Sequence, residues 1–444
     1  MDGCGDGLRW RHARADYWLN RRSLRFLGFD PCPLAALQYG DDVRQSHFLI
    51  SLHMTHIAIW RAAILLLAIV PLAYYFVAIL AAIRFFRRER AKPLPDFHPP
   101  ISILKPVCGV DFGTYQNFAS FCRQNYPDYE VLFCVNELSD PVVPVIQKVM
   151  AEFPKRRIRI LSGAPQFGAN RKVNNLALLA KEAQYEILAQ SDADVRVGPN
   201  YLREIAAPFQ NPKVGVVSCF YRAIAQPNLG AELEAVGAAG DFFAGALVAD
   251  WKEGVTFALG ASVATTKTWL AKIGGYESLA DLLADDYEIG NRAHKAGAKV
   301  LLSRETVLTM YPAQSLRGFW QHQVRWSRTV RIVRPMSFLA LIVTQGLFWA
   351  ILAALVAPTA SIALAYVLAY FILRFAMAWI VGVWGVGDDV LRRKLLLLPL
   401  RDAIHFVVWL AGFTSNRVIW GGVEYEIRGG KMTRLTPNSP SPAA

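Results

Sequence analysis

Residues 158–194 read IRILSGAPQFGANRKVNNLALLAKEAQYEILAQSDAD. The apolar, β-branched run Ile158–Leu161 breaks into a polar loop. A helix-like stretch follows at 172–184, then a second apolar run, Glu186–Ala189, which ends in Ser191-Asp192-Ala193-Asp194. Strand, helix, strand is the unit from which parallel sheets are built. The pattern extends on both sides. Strand-like runs lie at Ile101–Val107, Tyr129–Val135 and Val214–Cys219, with helix-like segments near 113–125, 141–153 and 199–209. Pro141, Pro144 and Pro199 fall near three helix starts, where proline is accepted. The block 93–334 therefore predicts an α/β domain on a mainly parallel sheet with right-handed crossovers. Ligands of such sheets bind beyond the carboxyl ends of the strands, so the residues following each strand are the ones to inspect.

Apolar stretches flank this block. Ala62–Ile83 contains no charge over 22 residues, enough to cross a hydrocarbon core of ~30 Å. Arg84, Arg87, Arg88, Arg90 and Lys92 follow, so the positive-inside rule predicts one transmembrane helix over 57–84 with the domain after it in the cytoplasm. Pro335–Leu373 runs 39 residues without Asp, Glu, Lys or Arg, and Pro358 divides it into expected helices at 336–357 and 359–384. Arg374 lies inside the second and must face protein or snorkel. Arg392, Arg393 and Lys394 return the chain to the cytoplasmic side. Ala403–Phe413 is too short to span alone, which leaves a re-entrant, interfacial or third C-terminal membrane segment within 385–430, followed by a disordered tail at 431–444. Residues 1–53 hold seven arginines and six aspartates without signal-peptide order, so a poorly ordered extension is expected, with Met54 as the native start.

The chain carries 48 basic and 35 acidic side chains, a formal charge of +13, with 54% hydrophobic residues. That composition excludes wholesale disorder. Six scattered cysteines without zinc spacing exclude a disulfide scaffold and read as reduced, mostly structural thiols. GxGxxG, GxxxxGK[ST], HExxH and GxSxG are all missing, which removes support for dinucleotide oxidoreductases, P-loop NTPases, zincins and serine hydrolases. Nucleic acid is not expected as a partner, because many of the arginines flank the apolar spans and no binding motif is present.

Five groups could carry chemistry. Asp192 and Asp194 share one face of extended chain and would suit a hard divalent cation; a solvated turn is the alternative. Asp111 follows the first strand, where a helix cap is the plainer reading. Asn170, Lys172 and Asn174 open a helix, the place for a diphosphate or for a polar cap. Asp285-Asp286 could supply a general base or an acidic first helical turn. His322, Arg325 and Trp326 lie in the basic stretch Leu316–Val333, readable as a surface helix on anionic headgroups or as a cation and aromatic pair over a nucleotide. The apolar segment Ala231–Ala249 reads either as a lipid-facing helix or as a core helix.

In order, KPxxGVD, GxNxKxNN, DxD, GGY, DDY and xxxRW resemble the ceramide glucosyltransferase family, inverting GT-A membrane enzymes, over about residues 60–430. The family also includes bacterial enzymes acting on hopanoids. The resemblance implies a UDP-sugar donor, a membrane lipid acceptor (ceramide or a hopanoid), Mg²⁺ or Mn²⁺ at Asp192 and Asp194, and Asp286 as base with Asp285 beside it. It places Lys105, Asp111, Asn170, Lys172, Asn174, Asp192, His322, Arg325 and Trp326 at the nucleotide sugar. His322 departs from the usual Gln or Arg. A multi-pass protein of a bacterial inner membrane follows. Processive polysaccharide synthases share DxD and RW but need more spans. A membrane scaffold with an inactive transferase fold is the alternative of another class.

Overall fold

The computed structural model describes residues 33–435, with side chains from residue 53 onward. The chain forms two compact units, Met1–Leu66 and Leu67–Ala444. Of the extension expected at 1–53, residues 1–32 lie outside the described residues; the backbone is helical from Pro33, ahead of the expected start at 57, in a helix that runs to Ala91.

An eight-stranded sheet forms the core of the larger unit. Its strands are β1 (Ile101–Pro106), β2 (Tyr129–Val135), β3 (Arg157–Ser162), β4 (Ile187–Ser191), β5 (Val195–Arg196), β6 (Val214–Ala225), β7 (Ser262–Thr266) and β8 (Lys299–Tyr311). Their order is β3-β2-β1-β4-β7-β6-β8-β5. β1, β2, β3 and β4 pair in parallel, whereas β7 is antiparallel to both neighbours. β1 and β2 are buried throughout, as strands covered by helices on both faces must be, which explains their unbroken apolar runs. Because the chain winds from β1 through β2 to β3 on one side and then crosses back to β4 on the other, a crevice opens beyond the ends of β1 and β4. Lys105 and the Asp192–Asp194 turn stand at those two ends. β7, β8 and the antiparallel pairing lay outside the sequence expectation, since Ser262–Thr266 (SVATT) is too short and polar to announce a buried strand.

Among the described residues, three helices are long and apolar enough to cross a membrane: His53–Ala91, Ala360–Val386 and Leu395–Gly412. The helix expected at 336–357 is instead broken, with Pro335–Thr344 and Gly346–Val356 bent by 50°. The cause is local. A Cβ at Gly346 would stand 2.2 Å from the Tyr75 hydroxyl, so the bare glycine admits the tyrosine of the first helix into the break. Arg374 is fully buried. Its guanidinium binds Asp402 through Nε (2.8 Å) and Nη2 (2.7 Å), Asp241 at 2.5 Å and the Gly240 carbonyl at 3.0 Å. Asp241 belongs to a π-turn, Ala238–Phe242, between helices Leu229–Gly237 and Phe243–Glu253. The apolar segment 231–249 is thus mostly core: Phe243 packs edge-on against Phe220 and Tyr221 of β6.

Of the disordered tail expected at 431–444, residues 436–444 lie outside the described residues, and 431–434 form β11 (Lys431–Arg434) of a meander with β9 (Arg417–Trp420) and β10 (Val423–Arg428). Tight turns at Gly421-Gly422 and Gly429-Gly430, all with positive φ, permit it. The helix Leu316–Val333 is not the bare headgroup-binding surface that its arginines suggested. Arg328 donates to the Arg417 carbonyl (2.5 Å) and Arg331 to the Ser415 carbonyl (3.0 Å). Arg334 reaches the Tyr287 hydroxyl (3.1 Å) and Thr256 (3.1 Å).

Candidate active site

Lys105 is completely buried. Its ammonium lies 4.2 Å from the Phe121 ring centre and donates to the Asp192 carbonyl oxygen. Burial draws its pKa down to about 7, against the pull of Asp192 and Asp194. It therefore secures the peptide carrying the acids instead of reaching a nucleotide, a correction to the sequence expectation. The same turn is sewn in by Asp192 N–H to the Ala261 carbonyl (3.2 Å) and by Met310 N–H to the Asp194 carbonyl (3.0 Å).

Lys172 enters from the helix Arg171–Glu182. Its ammonium is 2.7 Å from Asp192 and 3.5 Å from Asp285. Burial works against its charge, but Asp192, Asp285 and Asp286 outweigh it and hold the pKa above the usual lysine range. The flanking asparagines are occupied within their own loop. Asn170 caps the helix by accepting from Val173 N–H (3.1 Å) and donates to the Leu282 carbonyl (2.8 Å). Asn174 accepts from Phe167 N–H (3.1 Å) and donates to the Gly168 carbonyl (2.9 Å). They position Lys172; the structure does not offer them to a diphosphate.

Asp285 and Asp286 open the helix Asp285–Lys295. Burial, then the neighbouring Asp285, pushes the Asp286 carboxyl up to about 6. Its Oδ1 accepts from Tyr287 N–H (2.8 Å), and its Oδ2 rests on Gly260, where a Cβ would stand 2.5 Å away. Burial and then the Asp192 charge raise Asp194 to about 7. Burial also raises Asp285, opposed by Lys172.

From the other side comes Leu316–Val333. Burial lowers Arg325 to about 10, while Glu234 and Asp286 oppose that shift. His322 Nδ1 pairs with Glu234, and its ring stands edge-on to Trp326 at 5.3 Å. Gln314 donates to the second Glu234 oxygen. The buried Tyr221 phenol is raised by burial first and then by Asp286, Glu234, Asp192 and Asp194 in turn. Asp111 stays at the rim: it is exposed, its N–H donates to Thr114 Oγ1 (2.8 Å), and no side-chain contact joins it to the Lys172 group among the described residues.

Tyr221 and Glu234 were missed from sequence. A signal for Glu234 was present, since a carboxylate in an apolar run needs a buried partner or a function.

A mainly parallel sheet with acids at its switch point and helices fit to cross a membrane is the architecture expected of a membrane glycosyltransferase of the GT-A class. Residues 63–433 match the family described as glycosyl transferase family 21. The chain belongs to that family, and is a hexosyltransferase. Ceramide glucosyltransferase 1 of Caenorhabditis elegans is 23% identical over 395 residues, covering 82% of this chain and 80% of that protein. Ceramide glucosyltransferase of Komagataella phaffii is 32% identical over 143 residues, covering 30% of this chain and 28% of that protein. Among solved structures, a mannosyltransferase from Pyrobaculum calidifontis in complex with GDP-Man and Mn²⁺ aligns with a TM-score of 0.46 and 17% identity, over 78% of this chain and 99% of that one.

Proposed function

We propose that this protein transfers glucose from UDP-glucose to the primary hydroxyl of ceramide, with inversion at the anomeric carbon. The observation that carries the reading is the Lys172 ammonium held between Asp192 (2.7 Å) and Asp285 (3.5 Å), which joins the acidic turn after β4 to the Asp285-Asp286 helix start. UDP-glucose would lie across the ends of β1 and β4, its diphosphate toward Lys172 and Arg325. Asp286 takes the proton of the lipid hydroxyl. That oxygen bonds to the anomeric carbon as the bond to UDP breaks, and UDP departs with the electron pair. The two cations offset its charge in a largely desolvated pocket.

Asp192 and Asp194 would hold Mg²⁺ or Mn²⁺. Two carboxylates are a hard-oxygen donor set, and no side chain hydrogen-bonds the Asp194 carboxylate among the described residues. No three or more His, Cys, Asp or Glu among the described residues are arranged to hold a metal ion by themselves, so a bound cation would draw its remaining ligands from outside these side chains, as is usual for Mg²⁺. When bound, the ion supplies positive charge to the leaving diphosphate.

A lipid acceptor is supported by the exposed apolar side chains of Phe242 and Trp326, in ring contact at 6.3 Å, and of Val330, Met336 and Leu339, which follow along the chain into the bent helices. The basic cluster after residue 84 supports a cytoplasmic active site, and we assign the protein to a bacterial inner membrane. In vitro transfer from labelled UDP-glucose and UDP-N-acetylglucosamine to ceramide and bacteriohopanetetrol, with and without EDTA, tests the reading. Glucosylceramide formation lost on chelation is expected. Transfer to the hopanoid alone would reassign the acceptor, and no transfer to either would leave an inactive scaffold.

A further inference from the structure

The loop Ala280–Ala284 delivers Asp285 and Asp286, yet its position is set from elsewhere. Asp281 is the joint. Its Oδ1 accepts from Ala169 N–H (3.0 Å), in the loop leading to Lys172. Its carbonyl accepts from Met432 N–H (2.7 Å), in β11. On either side, Asn170 N–H donates to the Ala280 carbonyl (2.7 Å), and Leu282 bridges Lys431. Val418, Tyr425, Ile427 and Met432 form a small core of their own, against which Ala169 and Leu283 pack. An open cleft of about 350 Å³ is lined by Leu282, Ala284, Thr329 and Ile427, between the loop, the helix Leu316–Val333 and the C-terminal sheet.

We infer that the C-terminal sheet is a clamp on the catalytic loop, and that Asp281 is the positioning residue joining that clamp to both the Asp285–Asp286 turn and the Lys172 loop. The clamp side is separable. β11 is an edge strand, and the Met432 N–H is spent on Asp281, so a proline there removes the clamp bond. The inference rests on the proposed roles of Asp286 and Lys172.

The test uses the full chain in detergent micelles. Asp281→Ala and Met432→Pro should each lower kcat at least ~10-fold, the scale of an ångström-sized misplacement, with a smaller change in donor KM. Asp281→Asn keeps an acceptor oxygen for Ala169 N–H, and Met432→Leu keeps the N–H; both should restore kcat to within about threefold of the parent. Gly168→Ala gives an independent check, because its Cβ would stand 2.4 Å from Asp281 Oδ1 and push the loop without touching the sheet. Should Met432→Pro fail to fold, Gly430→Val, which strains the β10–β11 turn at a positive φ, tests the sheet in its place. Parent-like kcat in Asp281→Ala, in Gly168→Ala or in the folded sheet variant, or no rescue by asparagine, overturns the clamp. Asp286→Asn is assayed alongside: normal turnover there removes the base assignment, while the loop variants still decide the clamp.

Discussion

Asp286 carries the sharpest consequences. Asp286→Asn keeps the shape of the side chain and its bond from Tyr287 N–H but cannot take a proton. Turnover should fall at least ~10²-fold, while the Kd for UDP by calorimetry changes little. Parent-like turnover would exclude Asp286 as the base. Its raised pKa makes two further statements with opposite pH sense. As a base it must be ionised, so kcat/KM should decline as pH falls through about 6, well above the 3.8 of a free carboxyl. For stability, a folded pKa raised above the unfolded one is a contribution fully present below about 3.8 and lost as pH rises through about 6. The asparagine variant should therefore melt no lower than the parent at pH 7.5, and a clearly lower melting temperature would contradict that environment.

Among the elements, the helix Ala360–Ala378 and the π-turn Ala238–Phe242 are locked by the Arg374 guanidinium. Arg374→Met leaves the buried Asp402 and the half-buried Asp241 uncompensated and should cost about 3–5 kcal/mol, read as a thermal melt in detergent. Lysine should recover only part, because an ammonium cannot bridge two acids with a planar fork. An unchanged melt would mean that the triad adds nothing to stability. The same π-turn follows directly on the helix bearing Glu234. A membrane helix is thereby tied to the element that anchors His322 and faces Arg325.

For the whole molecule, the membrane orientation is open to measurement. Cys108 is exposed in the catalytic unit, whereas Cys122, Cys134 and Cys219 are buried. With Cys4 and Cys32 replaced by serine, a membrane-impermeant maleimide should label Cys108 in inverted vesicles and not in right-side-out cells. Labelling of intact cells would reverse the topology and place the donor site away from cytoplasmic UDP-glucose.

The sequence alone determined the alternation of strands and helices in 101–219, the apolar spans and the order of acids and RW, because burial on both faces and passage through lipid leave long local patterns. The run 336–357 carried no sign of its break, since the glycine there is only meaningful opposite Tyr75. Lys105, Asn170 and Asn174 looked like ligands because residue type does not reveal where a side chain's hydrogen bonds go. Only the tertiary structure turned them inward, brought Glu234 beside His322, and carried β11 back to Asp281. Asn174 apart, whose partners lie in its own loop, those relations join residues 87 to 151 positions apart, and a contact of that kind leaves no periodic trace in the chain that makes it.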